Sequence, residues 1–365
     1  MRFNQTKKAA NLAILFTFRN FTARKKKLSF MDSILVTGAS GFIGSFIVEE
    51  ALRKGFSTWA GVRQSSSREY LQQPDIHFID LDYAHPDILQ QQLKEHAREN
   101  GAFTYIVHCA GVTKCADKRD FDRVNYQQTK NLVEALIATG QTPKLFVFIS
   151  TLSVFGPIHE KDYQPITEKD IPCPNTAYGK SKLKTEQYLQ SLADFPYLIL
   201  RPTGVYGPRE KDYFLMAKSI QQHIDFSVGY KRQDITFVYV KDIVQAIFLG
   251  IEKGVKRKAF FLTDGQVYQS RTFSNLIIRE LKATKVLRIC APLWVLKVVS
   301  IVAEWWAKLR HTTSTLNTDK YRIMKQRNWR CDITSTIDEL GYQPQYKLDK
   351  GVKETIAWYK EAGWL

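Results

Sequence analysis

Tyr178 and Lys182 lie four residues apart in the run Pro174-Asn-Thr-Ala-Tyr-Gly-Lys-Ser-Lys-Leu-Lys-Thr-Glu-Gln-Tyr188. On a helix that spacing stacks the two side chains on one face. A free phenol has a pKa near ~10, too high for a ready base at neutral pH. A nearby ammonium, or any positively charged reactant, favours the phenolate and lowers that value. The pair can then take a proton from an alcohol or return one to a ketone. A bare Tyr-x-x-x-Lys pair is common on solvated helices, and Lys180 and Lys184 read as such solvated residues. The pair therefore acquires meaning only from the elements that must position it.

One such element precedes it. Lys144-Leu-Phe-Val-Phe-Ile-Ser-Thr-Leu-Ser-Val-Phe-Gly156 reads as a buried strand breaking into a hydroxyl-rich loop. Another opens the main body of the chain, where Ile34-Leu-Val-Thr-Gly-Ala-Ser-Gly-Phe-Ile-Gly44 leads into an amphipathic helix that Gly55 stops. Gly38 permits the tight turn off the strand, Gly41 lets the backbone approach a pyrophosphate, and Gly44 lets the helix pack closely on the sheet. The helix N-terminus then attracts the phosphates of a dinucleotide. A second strand, Thr58–Val62, ends at Arg63, followed by Gln64 and Ser65–Ser67. NAD enzymes usually place an acid there for the ribose hydroxyls, whereas an arginine with hydroxyl donors suits a 2′-phosphate. The cofactor expected is NADP or NAD, with Arg63 favouring NADP.

The spacing Gly-x-x-Gly-x-x-Gly, within Thr-Gly-Ala-Ser-Gly-Phe-Ile-Gly, resembles the extended, epimerase/dehydratase-like branch of the short-chain dehydrogenase/reductase superfamily. The resemblance covers residues 31–365, most firmly to Pro208. It implies an α/β fold: a Rossmann doubly wound parallel sheet with a smaller C-terminal α/β substrate domain. It also implies a nicotinamide cofactor held by Gly38, Ser40, Gly41, Phe42, Ile43 and Gly44. Asp80 and Leu81 would meet the adenine, and Cys109, Ala110 and Gly111 would run alongside the cofactor. Ser150, Tyr178, Lys182, Pro202, Gly204 and Val205 would complete its site. The catalytic set implied is Tyr178, Lys182, Thr151 and Asn125, with Lys182 also holding the nicotinamide ribose and Thr151 donating a hydrogen bond to the substrate oxygen. Ser153, Thr113 and Arg209 are the substrate contacts, and Arg201 is either an anion contact or a structural ion-pair partner. No metal is expected.

Composition fits an ordinary folded protein, 44% hydrophobic and 24% charged. The five cysteines are odd in number, scattered and without Cys-x-x-Cys, which excludes a disulfide framework or zinc site, fits a reducing compartment and leaves them as packing residues. The net charge of +17 comes without any nucleic-acid-binding signature, so no nucleic-acid partner is expected; attraction to anionic ligands or acidic membrane surfaces is. Residues 1–30 carry eight bases and no acid. They read as a basic extension upstream of Met31, with an organellar presequence as the competing reading.

The domain division expected is 31–205 with 233–262 for the nucleotide and 206–232 with 263–365 for the substrate. Helices are expected over Asp212–His223 and Asp242–Gly250, with a strand over Ile235–Val240 between them. Asp242 would be a cap or early-turn acid without a catalytic role. Residues 291–306 are the most hydrophobic segment, too short to span a bilayer comfortably. They read first as a core helix and alternatively as an amphipathic patch making peripheral membrane contact or receiving a greasy substrate. Trp329-Arg-Cys-Asp-Ile and Glu339-Leu-Gly-Tyr-Gln-Pro, after that segment, resemble the 3β-hydroxysteroid dehydrogenase and dihydroflavonol reductase side of the branch. The implied activity is hydride transfer between cofactor and a secondary alcohol or ketone of an apolar small molecule. The alternatives are a nucleotide-sugar epimerase or dehydratase and a non-catalytic binding module. A cytoplasmic homodimer is the accompanying expectation, membrane-associated if segment 291–306 is the amphipathic patch.

Overall fold

The computed structural model describes residues 32–310 and 316–365, so the basic segment 1–30 lies outside the described residues. The chain opens with β1 (Ser33–Thr37), α1 (Phe42–Arg53), β2 (Ser57–Gly61), β3 (Ile76–Ile79), α2 (Pro86–Asn100) and β4 (Tyr105–His108). A short π-helical stretch, Asp122–Gln127, runs into α3 (Gln128–Ala138), followed by β5 (Leu145–Ile149), α4 (Ala177–Ser191) and β6 (Tyr197–Pro202). Then come β7 (Gly204–Tyr206), α5 (Lys211–Gln221), β8 (Ile224–Val228), β9 (Asp234–Ile235), β10 (Phe237–Tyr239), α6 (Val240–Lys253) and β11 (Lys258–Leu262). The remainder is β12 (Tyr268–Gln269), α7 (Thr272–Leu281), β13 (Leu287–Ala291), α8 (Leu293–Leu309), α9 (Thr318–Lys325), α10 (Thr334–Leu340) and α11 (Leu348–Glu361).

Seven strands form one parallel sheet in the order β11-β6-β5-β4-β1-β2-β3. Strands β1, β4 and β5 are buried on both faces because helices cover both sides, so they read as largely hydrophobic runs. The order reverses between β1 and β4, and a doubly wound sheet opens its binding crevice at the carboxyl ends of the strands beside that reversal. Gly38, at the end of β1, and Cys109, at the end of β4, both lie there.

The smaller part is built from three two-stranded pieces, β7–β10, β9–β12 and β8–β13. Residues 234–239, grouped with the nucleotide half on sequence grounds, pair within these pieces, while Val238 packs in the core of the large sheet. The strand expected over 235–240 is interrupted at Thr236, whose hydroxyl bonds Trp329 O at 2.5 Å. Conversely, Leu340 and Tyr342, in the C-terminal tail, pack in the core of the large sheet. Asp242 is buried in the first turn of α6 and accepts hydrogen bonds from Gln345 N at 2.9 Å and Tyr346 N at 3.1 Å. Burial raises its pKa to about 6, yet its work is to pin the tail against the sheet.

Two expectations change. Cys173 is exposed and so is not a packing residue. Segment 291–306 forms a helix, but its apolar side chains face outward: Trp294 is 69% exposed. It is a surface helix, not a core helix.

Candidate active site

The cleft beside β1 and β4 has a volume of about 730 Å3 and is lined by Gly38, Ser40, Gly41, Arg63, Asp80, Leu81 and Cys109 to Gly111, among others. Its floor is shaped by the absence of side chains. Gly38 adopts φ +67°, and a Cβ there would lie 2.8 Å from Ala110 N. At Gly44 a Cβ would meet the carbonyl oxygen of Gly38 at 2.2 Å, so α1 can begin only where it does. Gly41 is the N-cap of α1, without a side-chain cap, and the first turn holds no acid. Its free N–H groups and the positive end of the helix point at the cleft and suit an anion.

Around the rim, Asp80 Oδ2 accepts a hydrogen bond from Gln64 N at 3.0 Å, which ties the loop after β2 to the end of β3. Arg63 is exposed on that loop, and its own N–H donates to Ser66 Oγ at 3.2 Å. On the opposite side, Asn125 is buried within the π-helical stretch; its Oδ1 accepts from Val112 N at 2.7 Å and its Nδ2 donates to Val112 O at 3.0 Å and Ser181 Oγ at 3.0 Å. π-Turns inside helices cluster at functional positions because they re-aim one residue. Here the re-aimed residue holds the strand-four loop open: a Cβ on Gly111 would lie 2.8 Å from Asn125 Oδ1 and 3.6 Å from Lys182 Nζ.

Helix α4 carries the proton-transfer pair. Thr176 caps it by accepting from Gly179 N at 3.0 Å, which sets Tyr178 in the first turn. Lys182 is buried, donates to Ile149 O at 2.8 Å and stands 4.6 Å over the Phe148 ring. Burial lowers its pKa to about 8, against the opposing influence of Cys109 and Glu186. Tyr178 is half-buried against Phe121. Burial raises its phenol to about 12, and the Thr151 hydroxyl beside it acts in the lowering direction. The expected lowering of the phenol by the lysine is therefore not present in the chain alone. Desolvation sets the value, opposed by the Thr151 hydroxyl alone.

The hydroxyl loop after β5 divides its roles. Thr151 accepts from Ser153 N at 3.2 Å and donates to Ser153 Oγ at 3.2 Å, on the Tyr178 side. Ser150 is buried on the other side and donates to Glu186, so its side chain points away from the cleft where the resemblance had placed it. Adjacent residues at a strand end face opposite ways. Glu186 also receives Arg201, at 2.7 Å from Nη2 and 3.1 Å from Nε, in a pair almost wholly removed from water. That settles Arg201 as a structural partner. Glu186 lies one turn beyond Lys182 on the same face, and the sequence signal for it was the continuation Tyr178, Lys182, Glu186 at intervals of four. Replacing Glu186 with glutamine leaves Arg201 as an uncompensated buried cation, which costs about 3–5 kcal/mol. Urea unfolding would read this as a lowered midpoint at unchanged slope.

Thr113 is exposed on the loop after β4. Arg209 is braced on α1: it donates to Ser45 Oγ at 2.9 Å and Glu49 Oε1 at 2.5 Å, and its guanidinium lies between the Phe46 and Tyr70 rings. Arg209 thereby ties the loop after β7 to the glycine-turn helix. Pro202, Gly204 and Val205 lie at the β6–β7 junction, which feeds that loop. Among the described residues no cluster of His, Cys, Asp and Glu could hold a metal ion.

Known proteins similar to this chain identify its family and its fold. The family model described as "NAD dependent epimerase/dehydratase family" matches residues 34–262. The chain is 25% identical to the sterol-4-alpha-carboxylate 3-dehydrogenase, decarboxylating, of Dictyostelium discoideum, over 89% of this chain and 100% of that protein. It is 26% identical to the UDP-glucose 4-epimerase of Vibrio cholerae, over 90% of this chain and 96% of that one. Among solved structures, the Bordetella bronchiseptica enzyme WbmG in complex with NAD superposes with a TM-score of 0.74, at 19% identity, over 93% of this chain and 97% of that chain.

Proposed function

The chain belongs to the NAD-dependent epimerase/dehydratase family, and from that premise we propose that it is an NAD(P)-dependent oxidoreductase acting on a secondary alcohol or ketone of an apolar, sterol- or lipid-like molecule. The observation that carries the reading is the placement of Thr151 beside Tyr178, and of Lys182 beside Gly111, in the wall of the same cleft that the glycine turn lines.

The residues present fit a dinucleotide. The uncapped first turn of α1 would hold the pyrophosphate, Asp80 and Leu81 would border the adenine, and Lys182 would reach the ribose next to the nicotinamide. The bound cofactor supplies the hydride acceptor or donor. Tyr178 holds the proton at its phenol oxygen and exchanges it with the substrate oxygen, and Thr151 orients that oxygen by donating a hydrogen bond. Asn125 keeps the Gly111 loop clear of the cleft through its bonds to Val112.

The 2′-phosphate preference rests on Arg63, exposed on the rim with Ser66 at its side. Arg63→Ala is expected to raise KM for NADPH by about tenfold or more, the loss of one charge-assisted phosphate contact, and to leave KM for NADH nearly unchanged. Equal effects on both would remove the preference. The chain would act in the cytoplasm as a homodimer, and a peripheral membrane contact through residues 291–306 accords with an apolar substrate.

A second reading, a nucleotide-sugar epimerase or dehydratase, has the support of the Vibrio relative. It would use the same phenol and return the hydride to its substrate. Absorbance at 340 nm separates them: steroid or lipid ketones should consume NADPH stoichiometrically. Nucleotide sugars converted with no net change at 340 nm would overturn the oxidoreductase assignment.

A further inference from the structure

Helix α8 is amphipathic with its apolar side facing solvent. Trp294, Val298, Ile301, Val302 and Trp305 fall at i, i+4, i+7, i+8 and i+11, a single helical stripe, and every one of them is exposed. The opposite side of the helix buries Leu296 and Ser300 and turns Glu304 inward, where it accepts from Thr318 N at 3.0 Å and pairs with Lys118 at 3.3 Å. The side facing the protein thus mixes Leu296 with Ser300 and Glu304, while the larger apolar side chains face outward.

The neighbouring ribbon is inverted too. β8 and β13 pair Ile224 with Leu287, Phe226 with Ile289 and Val228 with Ala291, so these side chains share one face. Phe226 is 58% exposed and Leu287 62%. The alternate position, Asp225, is buried against Arg271 and Ser274. Ribbon and helix meet at Gly229, where a Cβ would lie 3.6 Å from Leu293. Two elements with different periodicities therefore expose apolar faces side by side, which is the signature of a surface meant to be covered.

Charge selects the occupant. Between Lys285 and Arg310 the sequence holds five Lys or Arg and a single acid, Glu304, which is turned inward. Lys285, Lys297 and Arg310 are exposed, whereas Arg288 sits on the inner face of the ribbon with Asp225 and donates to Asn275 Oδ1 at 2.8 Å. A second copy on this face would set the same cations against themselves in an isologous contact. Anionic headgroups complement them. No described helix is long and apolar enough to cross a membrane. We propose that α8 and the outer face of the β8–β13 ribbon together dock on an anionic lipid bilayer, with α8 lying in the plane of the interface.

The dock adjoins the chemistry. Thr318, held by Glu304, precedes Asp319, whose Oδ2 accepts from Ala177 N at 2.7 Å at the start of α4, one residue before Tyr178. A substrate drawn from the bilayer would arrive near the phenol; that step rests on the apolar-substrate reading, whereas the docking does not.

Purified full-length chain sedimented with vesicles tests the docking. Vesicles of equal parts phosphatidylcholine and phosphatidylglycerol should retain the protein at least about tenfold better than phosphatidylcholine alone, and added salt should weaken retention. Val298→Glu/Val302→Glu should lower anionic-vesicle binding roughly tenfold or more, with NADPH binding unchanged as the check on folding. If that variant misfolds, Trp294→Ser serves in its place. Three results would each overturn the proposal: no binding to anionic vesicles, binding that the variants leave intact, or a solution dimer that the variants dissociate without any vesicle binding. Because NADPH binding and vesicle binding are read without substrate, failure to find a lipid substrate would leave the docking result standing.

Discussion

Tyr178→Phe is expected to lower turnover by about 10²–10⁴-fold, the range that positioned proton transfer contributes, while cofactor affinity stays nearly unchanged. The substitution removes one oxygen from a half-buried side chain whose ring rests against Phe121, so packing is kept and the proton route is lost. The pH profile sharpens the test. In the chain alone, burial holds the phenol at about 12, well above its ordinary value. Oxidation of an alcohol needs the phenolate, so the rate in that direction should climb with pH. The positive ring of the oxidised cofactor stabilises the phenolate, so the midpoint of kcat, which reports the complex, should fall well below the titration of Tyr178 in the cofactor-free chain. Reduction should run the opposite way, fastest where the phenol is protonated. A Tyr178→Phe enzyme retaining more than a small fraction of wild-type turnover, or equal midpoints with and without cofactor, would reject the assignment.

What could be read in advance follows from which constraints are local. The glycine turn was legible because backbone geometry admits nothing else: φ +67° at Gly38 and a 2.2 Å approach at Gly44 leave no room for a side chain. Tyr178 and Lys182 were legible because helical spacing alone puts them together. The facing of Ser150 was not, since one residue along a strand end decides between the cleft and Glu186. Nor was the engagement of Arg209, whose partners Ser45 and Glu49 are more than 150 residues away in sequence. Helix α8 shows a different limit. Its pattern announces two unlike faces, but periodicity carries no sign, and only the exposure of Trp294, Val298 and Trp305 reveals that the larger apolar side chains are on the outer one. The electrostatics of the pair were likewise hidden, because desolvation is imposed by elements distant in sequence.

That desolvation leads to the last expectation, that Lys182→Met abolishes turnover and yet stabilises the cofactor-free protein. Lys182 is buried with one hydrogen bond, to Ile149 O, and its pKa falls from the ordinary 10.5 to about 8. Below pH 8 the folded and unfolded states both carry the proton, and the folded state bears the full cost of a poorly solvated ammonium. From pH 8 to 10.5 the folded state sheds its proton first, the unfolded state binds more protons, and stability rises with pH. Methionine has similar length and no charge, so it removes the cost while keeping the packing. A gain of about 1–3 kcal/mol is expected at pH 7, the shift converted at roughly 1.4 kcal/mol per unit and reduced for the lost hydrogen bond. The gain should shrink as the pH approaches 10.5. Thermal unfolding of both proteins at pH 7 and pH 10 reads it directly, and a destabilised variant at pH 7 would show that Lys182 serves the fold. A stabilised but inactive variant would instead show that the chain holds this ammonium at the expense of its own stability, for the ribose and phenolate it is placed to meet.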